Sequence, residues 1–119
     1  MYNNVLEDLY QVVLDRKAQY ASSGESADEI KNKSYTCYLF SQGENKILKK
    51  CGEECTEMVI AAKNHDNNEL KNEISDLLYH IMVLCAEENL PFSEVEAVLE
   101  ERSKKIGNLK QFHQVDKNT

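Results

Sequence analysis

Two groups of acidic residues stand at mirrored distances on either side of a polar turn in the middle of the chain. Counted from the ends of that turn, Glu57 and Glu73 are each seven residues away, and Glu54 and Asp76 are each ten away. In an antiparallel helical hairpin these residues would form two facing layers, roughly 10 and 15 Å from the turn. The spacing of three within each helix points both members of a pair to one side. Glu53 extends the first group.

Four facing carboxylates repel one another unless a cation lies between them or some of them take up protons. Oxygen ligands suit a hard cation, and Mg²⁺ is the usual one where phosphates complete the coordination shell. Acidic residues three apart on a helix are also common on solvated faces. The pattern by itself therefore leaves a metal site and a solvated acidic flank equally open.

A group of lysines lies one to two helical turns before the first acids, namely Lys46, Lys49 and Lys50. Lys46 and Lys50 fall on the acidic flank of the predicted helix. A cationic patch next to a metal site suits an anion held by both, such as a phosphate. The alternative is a set of ordinary surface ion pairs with Glu53 and Glu54, each contributing only about 0.3–0.5 kcal/mol.

The elements that must position these side chains are all helical. We predict an all-α fold of about five helices in a single domain spanning residues 1–119, with an ordered core from about 4 to 106. The polar segment 22–33 is expected to be a flexible loop, and the tail 107–119 a loosely ordered one. The predicted helices cover residues 4–20, a short stretch after Ser34 that ends near Gly43, residues 45–63 and 67–88, and a last stretch from about 93 to about 106. The two long helices in the middle form a central antiparallel hairpin.

A helical projection places one apolar stripe on each helix of the hairpin. The predicted stripes are Ile47, Cys51, Cys55, Met58 and Ala62 on the first helix and Leu70, Ile74, Leu77, Ile81 and Cys85 on the second. Further apolar residues, 82–84, widen the second stripe beyond what one partner helix covers. We therefore expect the helical bundle to be completed by oligomerisation, as a homodimer or a higher homo-oligomer. Tyr79 and His80 are expected to be packed side chains with their polar atoms hydrogen-bonded.

Composition restricts the function classes. The formal net charge of −7 argues against nucleic-acid binding. The longest apolar run, residues 81–86, is far too short to span a membrane, and the amino-terminal stretch has no apolar signal region. We expect a cytoplasmic protein whose four cysteines are reduced thiols rather than disulfides or zinc ligands.

The run SYTCYLFSQGENKILKKCGEECTEMVIAAKNHDNNELKNEISDLLYHIMVL resembles the phosphoribosyl-ATP pyrophosphohydrolases, which belong to the all-α, MazG-like nucleotide pyrophosphohydrolases. The superfamily motif is E-E-x-x-E, a spacer, and E-x-x-D, and the surrounding SYT, KILKK, AAKN and DLLYH are specific to the histidine-biosynthesis branch. The resemblance covers roughly residues 4–106 and implies Mg²⁺-dependent hydrolysis of phosphoribosyl-ATP to phosphoribosyl-AMP and pyrophosphate. By motif position it implies Glu54, Glu57, Glu73 and Asp76 as metal ligands, Glu53 as a ligand or as the group that orients or deprotonates water, and Lys46, Lys49, Lys50, Lys63 and Asn64 as phosphate or substrate contacts.

The chain departs from the family pattern in a few places. Cys51 and Cys55 stand where small or branched aliphatic residues are expected, and Ser103 follows Arg102 where the family often has histidine. The chain resembles the stand-alone form of an enzyme that is often fused to a cyclohydrolase. Two rival functions stay open: a housecleaning pyrophosphohydrolase acting on dUTP or dCTP, and a non-enzymatic helical oligomerisation module.

Overall fold

The computed structural model describes residues 4–105, and over that range the chain forms helices and no strand. This confirms the all-α prediction. The predicted tail, 107–119, lies outside the described residues. None of the described helices is long and apolar enough to cross a membrane. Between residues 4 and 105 there are six helices: α1 (Val5–Ser23), α2 (Ala27–Lys33), α3 (Tyr35–Gln42), α4 (Glu44–Lys63), α5 (Asn67–Glu87) and α6 (Phe92–Ser103).

Helices α4 and α5 form the predicted central hairpin, and they pack against each other along their length. The turn between them contains His65 with a left-handed φ of 55°, a conformation that histidine adopts more readily than most residues. The Asp66 side chain then caps α5 by accepting a hydrogen bond from the backbone N–H of Glu69 at 3.0 Å. So short a turn forces the two helices to run antiparallel.

The prediction of a loop over residues 22–33 is wrong for most of its length, because Ala27–Lys33 forms the short helix α2. Ser26 caps this helix by accepting from the backbone N–H of Glu29, and its hydroxyl also bonds the Glu29 carboxylate at 3.1 Å. Ser26 and Glu29 have the spacing of a capping box. Ile30 is buried and anchors the helix, and an ion pair of 3.0 Å joins Lys33 to Glu25.

The core lies between the hairpin and helices α1 and α3. Its largest fully buried side chains come from all four of these helices: Val13, Leu39, Ile47, Met82 and Val83. Packing of α1 and α3 on one side of the hairpin decides which residues of α4 and α5 are covered.

The predicted apolar stripes are only partly buried. Ile47 and Cys85 are in the core, but Cys55 and Ala62 are exposed, and Ile74 is also exposed. The face that α1 and α3 cover is rotated toward the acidic flank, so that Glu54, Ala61 and His80 are buried instead. A helical projection identifies apolar residues but not which of two apolar faces the rest of the chain covers.

Candidate active site

The hairpin brings three of the predicted acidic side chains together. Glu54 and Glu57 project from α4 and Glu73 from α5, and one carboxylate oxygen from each lies within 4.8 Å of the others. Glu54 is only 8% exposed, Glu73 is half-buried, and Glu57 is exposed. The cluster therefore runs from the edge of the core to the protein surface.

The three carboxylates perturb one another. The pKa of Glu73 is raised to about 7, first by burial and then by hydrogen bonding to and repulsion from Glu57 and Glu54. Oε2 of Glu54 and Oε2 of Glu73 are both buried, and within the described part of the chain neither has a hydrogen-bond partner. Buried carboxylate oxygens without donors are costly unless a cation or a proton satisfies them. This set of oxygens can hold a hard divalent cation.

Lys50 is the cation next to this cluster. Its Nζ lies 3.7 Å from Glu54 and 3.5 Å from Glu53, one turn along α4. Burial lowers the pKa of the Lys50 ammonium, but the neighbouring Tyr35, Glu53 and Glu54 outweigh that effect, and its pKa is raised. Lys50 therefore stays charged. Glu53 is itself exposed, so it lies at the solvent side of the cluster.

The remaining predicted residues are less closely grouped. Asp76 is exposed and lies outside the group of three carboxylates, although it follows Glu73 by one turn on α5. Lys46 is half-buried, whereas Lys49 and Lys63 are exposed. Asn64 at the turn lines an open cleft of about 280 Å³ together with Glu57 and Glu73. The structure thus joins the turn to the acidic cluster through one continuous cleft.

Comparison with known proteins identifies the family. The family model described as phosphoribosyl-ATP pyrophosphohydrolase matches residues 20–103, which is more than half of the chain and contains the whole hairpin. The chain belongs to this family. The resemblance expected from the sequence is therefore confirmed, and so is the prediction that the chain is a hydrolase of the phosphoribosyl-ATP pyrophosphohydrolase family.

Relatives from several bacteria are similar to this chain, two of the three described below over most of their own length. A phosphoribosyl-ATP pyrophosphatase of Bacillus cereus is 48% identical over 96 residues, which cover 77% of this chain and 90% of the relative. One of Streptococcus gordonii is 47% identical over 112 residues, covering 94% of this chain and 98% of the relative. The histidine biosynthesis bifunctional protein HisIE of Halalkalibacterium halodurans is 60% identical over 78 residues, covering 66% of this chain and 37% of that longer protein.

Beside the cluster lies a group of hydrogen-bonded side chains that the sequence did not predict to be part of the site. Nε2 of the buried His80 lies 2.9 Å from the Tyr35 hydroxyl, and its Nδ1 lies 2.7 Å from the Asp76 carbonyl oxygen. The Tyr79 hydroxyl is hydrogen-bonded to Thr36. The expectation that Tyr79 and His80 are packed and hydrogen-bonded is confirmed. Tyr35 and Thr36 belong to the SYT run that is typical of the family. The sequence does not show that this run contacts the hairpin, because it lies well before the acidic residues along the chain.

Proposed function

We propose that the chain hydrolyses phosphoribosyl-ATP to phosphoribosyl-AMP and pyrophosphate, the second step of histidine biosynthesis, with Mg²⁺ as its cofactor. Family membership supports the substrate, and the similarity to a histidine biosynthesis protein supports the pathway. The observation that carries the hydrolytic role is the convergence of Glu54, Glu57 and Glu73 beside the charged Lys50. An acidic cluster and a lysine together suit a metal-bound phosphate chain.

The donor set fits Mg²⁺. The site is short of positive charge. Two of its buried carboxylate oxygens have no hydrogen-bond partner, and the pKa of Glu73 is raised to about 7. Glu54, Glu57 and Glu73 would hold the ion, and Asp76 is the fourth proposed ligand from the next turn of α5. When bound, Mg²⁺ supplies positive charge that offsets the negative charge developing on the phosphate oxygens.

The chain's own residues then orient the substrate and the water. Lys50 holds a phosphate oxygen, since its ammonium lies at the edge of the cluster next to solvent-exposed Glu53. Glu53 orients the attacking water and accepts its proton. The water oxygen bonds to phosphorus at the α–β phosphoanhydride as the bond to the departing pyrophosphate breaks. The further proposed phosphate and substrate contacts are Lys46, Lys49, Lys63 and the cleft-lining Asn64.

Direct measurement of pyrophosphate release tests this function. We expect the purified protein to release pyrophosphate from phosphoribosyl-ATP in the presence of Mg²⁺ and to stop when the metal is removed with a chelator. The same assay is run with dUTP and dCTP. Hydrolysis of a deoxynucleotide but not of phosphoribosyl-ATP would show a housecleaning pyrophosphohydrolase instead. Absence of hydrolysis for all three substrates would support the helical oligomerisation module.

We also propose that the protein is a homodimer or a higher homo-oligomer. Five large apolar side chains of the hairpin are exposed. Leu48 is near the start of α4, and the other four lie nearer the turn, each between 38 and 53% exposed: Val59, Ile60, Ile74 and Leu78. We call these four residues the hairpin face. Large apolar side chains left exposed on two packed helices are typical of surfaces that associate, and contact with a second copy would bury them symmetrically.

A charge on the hairpin face should dissociate the oligomer. We expect the double variant Val59→Glu, Leu78→Glu to be monomeric at concentrations where the wild type is not, because burying two carboxylates without partners is costly. Sedimentation equilibrium measures the mass. Val98→Glu on α6, which is equally exposed in the wild type, is the matched control. A wild-type monomer, or dissociation by the α6 change alone, would rule out the hairpin face as the interface.

The cytoplasm is the proposed location of this activity. All four cysteines, Cys37, Cys51, Cys55 and Cys85, are free thiols in the structure. Thiols stay reduced in the cytoplasm, whereas secreted proteins of this size commonly pair them. The free cysteines therefore support the location expected from the sequence.

A further inference from the structure

Tyr35 is oriented in the opposite way to most surface tyrosines. A surface tyrosine normally packs its ring against the protein and turns its hydroxyl toward water. Here the hydroxyl points inward to His80, which is only 5% exposed, while Tyr35 as a whole is 45% exposed. Because the hydroxyl is bonded to a buried partner, the exposure of Tyr35 falls on the rest of the residue, which includes its aromatic ring.

The Tyr35 ring is fixed at both ends. The Asp76 carbonyl can only accept, so the His80 Nδ1 that lies 2.7 Å from it must be the donor. In the neutral imidazole Nε2 then accepts, and the Tyr35 hydroxyl donates to it at 2.9 Å. At its backbone end Tyr35 is the first residue of α3, directly after Ser34, whose side chain caps that helix. A ring anchored in this way loses little further freedom when a ligand packs against it.

Other rings support Tyr35 from the protein side. Its ring centroid lies 6.2 Å from that of Tyr79 and 6.5 Å from that of Tyr38, both tilted by about 30°, and His80 meets it edge-on at 5.7 Å. Lys50 lies close enough to oppose the effect of burial on the Tyr35 pKa, which is raised overall. The Tyr35 hydroxyl thus lies in the field of the same lysine that borders the acidic cluster.

We propose that the ring of Tyr35 is the stacking surface for the adenine base of the substrate, which makes Tyr35 a specificity-determining residue. This inference rests on the proposed function, since the base of phosphoribosyl-ATP is one ribose away from the phosphate at Lys50. A flat aromatic ring accepts the face of a purine, and removing such a ring from a stacked base costs roughly 5- to 150-fold in affinity. His80 is a positioning residue in this arrangement, because it acts on the substrate only through Tyr35.

Kinetics of Tyr35 variants test the stacking surface. We expect Tyr35→Leu to raise KM for phosphoribosyl-ATP by roughly 5- to 150-fold with kcat within a few-fold of wild type, because binding of the base is lost and the chemistry is not. Tyr35→Phe keeps the ring and loses only its hydrogen bond to His80, so its KM should lie between that of the wild type and that of Tyr35→Leu. A purely structural role would lower the melting temperature or kcat and would not produce this split. An unchanged KM in Tyr35→Leu overturns the inference.

Fluorescence gives a second test that does not depend on turnover. The chain contains no tryptophan, so the Tyr35→Trp variant carries a single tryptophan that can be excited selectively, and the Val98→Trp variant on α6 carries a matched one elsewhere. We expect AMP to quench the first and not the second, and ribose 5-phosphate, which has no base, to quench neither. Emission of the Tyr35→Trp variant that follows protein concentration but not AMP would place the ring against a second copy and overturn the inference. Quenching of the Tyr35→Trp variant by AMP, together with a wild type that does not hydrolyse phosphoribosyl-ATP, would refute the proposed function alone.

Discussion

Replacing Glu57 with glutamine should abolish pyrophosphate release while leaving the protein folded. Glu57 contributes one of the three carboxylates whose oxygens approach within 4.8 Å, and it is exposed, so the change disturbs no core packing. Glutamine keeps the size of the side chain and removes the charge that a cation needs. Changes in groups that only orient metal ligands already cost about 10- to 100-fold, so we expect a loss of at least about 100-fold here.

Initial rates at saturating Mg²⁺, together with circular dichroism, measure this effect and the integrity of the helices. Glu101→Gln on α6 removes the same charge from an exposed helical position away from the cluster, and its rate should stay close to that of the wild type. The rate of the Asp76→Asn variant tests whether Asp76, the fourth proposed ligand, joins the other three when metal and substrate are present. A Glu57→Gln rate within a few-fold of the wild type would show that the metal site is wrongly placed.

Counting residues from the turn predicted half of this geometry well. Glu57 and Glu73 were expected to lie level across the hairpin, and the structure brings them together with Glu54. Asp76 was expected to face Glu54 in the second layer, but it lies outside the group. Counting fixes the height of a residue along a helix axis but not the rotation of the helix about that axis, and aspartate is also one methylene shorter than glutamate.

Three features of the structure differ from what the sequence predicts, and each difference has a physical reason. The polar composition of α2 is typical of a loop, whereas the spacing of Ser26 and Glu29 is that of a helix cap, and in the structure the cap and the buried Ile30 decide the conformation. The apolar stripes were displaced because the hairpin has more apolar surface than α1 and α3 cover. Tyr35 was missed because its role depends on a contact with His80, 45 residues away in the chain.

The metal-free protein should become less stable as pH rises through the interval in which Glu73 titrates. Burial and the neighbouring glutamates raise the pKa of Glu73 from an ordinary 4.5 to about 7. Between these values the folded protein holds a proton that the unfolded chain has released, so the free energy of unfolding falls as pH increases. Above about pH 7 the ionised cluster carries its full repulsion, and below about pH 4.5 the difference vanishes. Other raised carboxyl groups, on Glu7 and Glu88, act in the same direction.

The Glu73→Gln variant separates this effect from those of the other carboxyl groups. We expect the melting temperature of the metal-free wild type to fall relative to that of the variant between about pH 5 and pH 8, because only the wild type gains a charge within the cluster. Mg²⁺ added at about pH 8 should raise the melting temperature of the wild type more than that of the variant, since a cation that binds only the folded state stabilises it. The same carboxylates that destabilise the empty site would then be the ones that hold the metal. Parallel melting curves for the two proteins at all pH values, with no difference on adding Mg²⁺, would contradict both the raised pKa of Glu73 and its part in the site.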